Sequence, residues 1–211
     1  MFEANSYEIK GSRVYPVKRY FNWSGVNIER FKRTAHFQLR SNWCWTAELT
    51  NTLRFYGVAI KQRQLAAYTC DVSFRGIARN CPATATQMND HLNLCDFDLN
   101  GKLYCAYGSF YDGRPSAEWV LNQLEAGRTI IVGLKGNSIG HAVTLLGAKW
   151  NWVNGERVIT SLVYHDPAST STYDRYNGIK TTNNARAFIK SVYVYFEISA
   201  DVINHEVEWL D

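Results

Sequence analysis

No C-x-x-C pair occurs in this chain, so the paired-ligand spacing of a structural zinc site is missing. Basic residues never run beyond the pairs in "VKR" and "FKR", and the formal net charge is only +4. That leaves no electrostatic footprint for nucleic acid, and no nucleic-acid motif accompanies the scattered charges. No stretch approaches the roughly 18 consecutive apolar residues of a membrane span. The opening "MFEANSYEIKGSRVYPVKRYFNW" holds no apolar core of the kind a secretory signal peptide requires. The protein is therefore expected in the cytoplasm, or outside it by a signal-peptide-independent route. Repeats, low-complexity tracts and linkers are absent too, so a single domain over residues 1–211 is expected.

What is present points to a folded globule. Hydrophobic residues make up 46% and charged residues 20%, enough apolar surface for one sizeable core. Five cysteines leave at least one thiol unpaired in a monomer. Cys44 stands apart, while Cys70, Cys81, Cys95 and Cys105 crowd together. Two readings of those four stay open: small buried thiols in a reducing compartment, or one or two disulfides after export.

Residues 1–37 read as an irregular or short-stranded lead-in. From Trp45 the apolar residues Trp45, Leu49, Leu53 and Tyr56 recur at helical spacing, and Gly57 marks a stop. "KQRQLAAYTC" and "ATATQMNDHLNLC" read as short helices, and "LYCAY" as a strand. "PSAEWVLNQLEAG" reads as a helix opened by Pro and closed by Gly. Then the texture changes. "TIIVGL", "HAVTLLGAKW", "ERVITSLVYHD" and "SVYVYFEI" are β-rich, and the Asn-Gly of "NWVNGE" reads as a hairpin tip. Helices followed by antiparallel strands predict an α+β fold with a cleft between its two halves.

Cys44 lies between two tryptophans at the start of the first long helix, in "QLRSNWCWTAELT". A thiol attacks only as thiolate, and a helix N-terminus and a nearby imidazolium both favour that form. Of the five histidines, His141 has the most suggestive setting. It begins a strongly apolar strand behind Gly140, which would allow a substrate backbone to approach closely. If the flanking strands pair through the Asn-Gly turn, Asp166 comes beside His141, where it would orient the imidazole. His165 should then face the other way. The backbone N–H of Cys44 and the side chain of Gln38, six residues upstream, are the candidate oxyanion donors. Trp43 and Trp45, flanking the thiol, join Gly140 as candidate substrate-binding residues.

With Gln38, "NWCW", "GHAV" and the Asp-Pro of "HDP" in view, the chain resembles the papain-like cysteine peptidases. Within them it is most similar to the compact bacterial branch of AvrRpt2-type and C39-like proteases. The resemblance covers about residues 38–167. It implies a papain-like fold, an N-terminal helical half with the central helix starting at the nucleophile, and a C-terminal antiparallel sheet. It assigns the oxyanion Gln to Gln38, the nucleophile to Cys44, the base to His141 and the orienting acid to Asp166. Glu48 stands out, because a small Ala/Ser run is expected after the Cys. An elaborate pro-region is not expected. The implied activity is peptide-bond hydrolysis through a thioester acyl-enzyme, on a protein or peptide substrate, with no metal or organic cofactor. A secreted effector or toxin, or a leader-processing peptidase, fits that activity. The same residues would equally serve an amidase, a deamidase or a transglutaminase-like acyl transferase, and a catalytically idle peptide-binding module is a further alternative.

Overall fold

A computed structural model describes residues 2–10, 13–135, 140–168 and 178–202, with residues up to 20 as backbone only. The elements are β1 (Phe2–Lys10), β2 (Arg13–Gly25), α1 (Ile28–Thr34), α2 (Cys44–Phe55), α3 (Gln62–Thr69), α4 (Ala85–Asp90), β3 (Asn93–Phe97) and β4 (Leu103–Asp112). There follow α5 (Ala117–Glu125), β5 (Ile130–Leu134), β6 (His141–Val153), β7 (Glu156–His165), β8 (Ile179–Thr182), α6 (Ala185–Ser191) and β9 (Val192–Val202). Helices and an antiparallel sheet make the expected α+β architecture.

The sheet is built around β6. Along one edge β6 pairs with β7, and its other edge is shared in succession by β5 and β2. From β5 the order continues through β9 and β4 to β3, and β8 extends β7. Asn154 and Gly155 both have positive φ (52° and 83°), the conformation a two-residue primed turn needs, so the β6–β7 hairpin closes as its sequence suggests. Two bulges interrupt that hairpin, one between Lys149 and Trp150 and one between Leu145 and Gly147. They offset each other: Val153 pairs with Glu156 at the turn, and Thr144 still pairs with His165 at the far end.

Alternation along the strands divides the core. Ile131 and Ala142 face α2 with Trp45, Leu49 and Leu53, while Ile130, Val132 and Val143 face α5. Fully burying a Leu such as Leu49 or Leu53 contributes about 2 kcal/mol. The halves are less segregated than the sequence suggests. Of the two readings of the lead-in the stranded one holds, with longer strands than expected and a helix, α1, after them: β1 and β2 form a ribbon that joins the sheet through Asn22–Gly25. Pro16 and the charged Lys18 and Arg19 hide that strand, and a ribbon beyond the sheet body tolerates them. Helices α5 and α6 cover the face away from α2.

Helix α2 also departs from expectation. The helical recurrence of Trp45, Leu49 and Leu53 implies one buried face, yet α2 is buried without interruption from Trp45 to Leu53, including Thr46, Glu48, Thr50, Asn51 and Thr52. The sheet packs on one side of it, and α1 and α3 on the other.

Of the two readings of the clustered cysteines, the structure has the disulfides. Cys70 bonds Cys81, Cys95 bonds Cys105, and Cys44 is the free thiol. Each bridge closes a loop of about a dozen residues, worth on the order of 2–3 kcal/mol through restriction of the unfolded chain.

Candidate active site

Cys44 is the first residue of α2, so its backbone N–H is among those that no intrahelical carbonyl can satisfy. Trp43 caps the helix without a side-chain hydrogen bond. The loop before it is held by the segment around the Cys70–Cys81 bridge. Asn42 N donates to Asn80 Oδ1 at 3.0 Å, and Asn80 Nδ2 donates to Ser41 Oγ at 2.9 Å. Trp43 Nε1 donates to the Arg79 carbonyl and Trp45 Nε1 to the Cys81 carbonyl, each at 3.1 Å. The nucleophile candidate therefore sits on a loop clamped from a disulfide-closed neighbour.

His141 is the first residue of β6, and Asp166 immediately follows β7. Strand alternation puts Thr144 and His165 on one face, and His141 and Asp166 on the other. His141 Nε2 lies 2.8 Å from Asp166 Oδ1. The imidazole also lines the same cleft as the Cys44 thiol, close enough to interact with it electrostatically, and Nδ1 is the nitrogen that Asp166 leaves over. Thus the structure brings Cys44, His141 and Asp166 together.

The electrostatics follow from that geometry. The bond to Asp166, then the interaction with Cys44, outweigh burial and push the His141 imidazole up to about 10. At Asp166, burial pushes the carboxyl up, but it is overcome by His141, by Lys180 Nζ at 2.6 Å from Oδ2 and by the Ala168 N–H at 3.0 Å from Oδ1. The carboxyl ends well below its ordinary range. Lys180 comes from β8, in a stretch with no sequence motif.

Gln38 stands differently. Its backbone N–H donates to the Pro167 carbonyl at 3.0 Å, tying the loop to the residue after Asp166. Its side-chain Nε2 donates to the carbonyls of Arg40 (3.0 Å) and Ser41 (2.9 Å). Both amide hydrogens are thereby committed within its own loop. Its Oε1 is buried without a partner among the described residues. Gln38 lines a separate groove with His36, Leu39, Arg54 and Lys61, not the cleft at Cys44.

That cleft has a volume of about 290 Å³. Cys44 and His141 meet at it, with Ser41 and Asn42 on one rim and Tyr193 on another. Trp45, Pro82, Ala83, Ala85, Met88 and Ile131 supply apolar walls. Two substrate-contact expectations change. Trp43 is only 1% exposed and belongs to the core, because its indole turns under the 70–81 loop to reach Arg79. Trp45 does reach the cleft wall, though it is 2% exposed. Gly140 lines the cleft, but the space beside it is taken: a Cβ there would collide with the Tyr193 hydroxyl. Tyr193 carried no signal in the sequence beyond a β-rich run. Asn137 and Asp174, the other conceivable partners of His141, fall outside the described residues.

A family model described as the Peptidase_C39 like family matches residues 26–199. No curated protein matches the sequence. Among solved structures, the chain is similar to the digestive procathepsin L2 proteinase from Tenebrio molitor larval midgut. The TM-score is 0.42 and the identity 10%, over 90% of this chain and 70% of that one.

Proposed function

The chain belongs to the C39-like peptidase family, and on that premise we propose that it is a papain-like cysteine peptidase that cleaves peptide bonds with Cys44, His141 and Asp166 as a catalytic triad. One observation carries the assignment: His141 is hydrogen-bonded to Asp166 and shares the edge of a cleft with Cys44, close enough for the two to interact electrostatically. The Cys44 thiolate attacks the substrate carbonyl, and the charge that develops on its oxygen meets the Cys44 N–H at the helix start. His141 as imidazolium gives its proton to the leaving amine. As neutral base it then takes one from the water that breaks the thioester. Asp166 holds the ring and stabilises its charged form.

Among the described residues the cleft walls carry no charged side chain besides His141, which favours an apolar, uncharged substrate side chain. Two disulfides suit an oxidising compartment, which favours work outside the reducing cytoplasm, as an effector or toxin, over processing within it. The test of the activity is a map of new N-termini in a proteome exposed to the enzyme. Cleavage sites absent from a Cys44→Ala control, with an apolar residue at one fixed position near the cut, support the proposal. Identical maps for the two would refute it.

Gln38 is proposed as the second oxyanion donor, which requires one of its N–H bonds to Arg40 or Ser41 to be exchanged for the substrate oxygen. Gln38→Ala should then lower kcat/KM by roughly a hundred- to a thousandfold. Asp166→Ala should lose less, because Asp166 orients and polarises the imidazole without touching the reacting atoms. Both are measured on one peptide substrate, with circular dichroism checking each fold. A Gln38→Ala enzyme of wild-type rate would remove Gln38 from the oxyanion site.

A further inference from the structure

Glu48 lies one helical turn beyond Cys44 on α2 and is 0% exposed. Both its oxygens are used. Thr144 Oγ1 donates to Oε2 at 2.5 Å, and His165 Nδ1 lies 2.7 Å from Oε1. Thr144 and His165 are also 0% exposed, and they form the last pair of the β6–β7 ladder. The His165 ring packs against Phe31 and Phe37, at centroid distances of 5.6 and 6.5 Å. Its Nε2 has no hydrogen-bond partner among the described residues and faces Gly178, where a Cβ would come within 2.8 Å.

Each member of this buried cluster is joined through the chain to one member of the proposed triad. Glu48 lies four positions after Cys44, Thr144 lies three after His141, and His165 directly precedes Asp166. The triad is assembled from α2, the start of β6 and the end of β7, so the approach of Cys44 to His141 depends on how α2 sits against the sheet. Stability alone does not account for a carboxylate in this position. Burying polar groups costs desolvation, and replacing a hydrogen-bonded buried pair by apolar groups of the same shape can be nearly neutral or stabilising. What the cluster supplies is direction. Its short hydrogen bonds fix the rotation and depth of α2 against the β6–β7 hairpin, which shape-tolerant apolar packing fixes less well.

We propose that Glu48, Thr144 and His165 are positioning residues, forming a buried brace that holds Cys44 in attacking register with His141 and Asp166. This rests on the triad assignment above. A misplacement of about 1 Å in a reacting pair costs on the order of a hundredfold in rate, so a small relaxation of α2 is enough to be read.

The experiment compares Glu48→Gln, Thr144→Val and their double variant with wild type. It measures kcat and KM on one peptide, the rate of Cys44 alkylation by iodoacetamide, and near-UV circular dichroism. Glu48→Gln should lower kcat by roughly ten- to a hundredfold, with KM nearly unchanged and alkylation slowed in parallel. Thr144→Val should act in the same direction but less, and the double variant should be no worse than Glu48→Gln, because one brace is broken only once. A folded Glu48→Gln enzyme with wild-type kcat and alkylation rate, even at lower thermal stability, overturns the proposal, as does full additivity in the double variant. If Glu48→Gln does not fold, Thr144→Val alone decides, and an unchanged kcat there overturns it. The triad assignment fails by a separate result, retention of activity in Cys44→Ala.

Discussion

Cys44→Ala is expected to reduce peptide hydrolysis to background, a loss of roughly a millionfold on the scale set by removing the nucleophile from a catalytic triad. No other thiol can substitute, since the remaining four cysteines are bonded in pairs. The same arrangement gives a reagent test. Without reductant, a brief iodoacetamide pulse at pH 6–7 should add one label per chain, at Cys44, and Cys44→Ala should take up none. Labelling spread over several cysteines would contradict both the disulfide pairing and the choice of nucleophile. A Cys44→Ala protein that still cleaves peptides would require a different active centre.

His141→Ala should be about as severe, because it removes the partner of the thiolate and the acid for the leaving amine together. The wild-type pH profile offers a second reading of the same residue. The imidazole is pushed up to about 10, first by Asp166 and then by Cys44. A raised value means that the ring keeps its proton through neutral and mildly alkaline pH and loses it only near pH 10. The alkaline fall of kcat/KM, which reports the free enzyme, should therefore lie near pH 10, not near the ordinary histidine value of about 6.5. Since Asp166 is the larger cause, Asp166→Ala should move that fall to lower pH. An alkaline limb near neutrality in wild type, or one that ignores Asp166→Ala, would break the assigned His141–Asp166 coupling.

Much of this site is legible along the chain because its determinants are local. The start of α2 at Cys44 follows from the helical recurrence of Trp45, Leu49 and Leu53. The meeting of His141 with Asp166 follows from an Asn-Gly turn that fixes which strands pair, and strand alternation then sends His165 to the opposite face. The two bulges are not legible, and a single bulge would have changed the register. Their mutual cancellation is what makes the simple hairpin argument come out right.

The sequence by itself determined the fold class, the candidate nucleophile on a helix start and the two partners that one hairpin delivers. These depend on periodicity and turn chemistry, which act over a few residues. Only the tertiary structure decided that Trp43 belongs to the core, that Gln38 spends its amide hydrogens on its own loop, and that Lys180 steadies Asp166. It also decided that the cysteines pair as they do, and that Glu48, which stands out where a small Ala/Ser run is expected, is an internal group met by Thr144 and His165. The reason is common to all of these. A side chain's partner and its burial are set by residues brought from distant parts of the chain, and when a helix is enclosed on both sides its polar positions lose the solvent that their pattern implies.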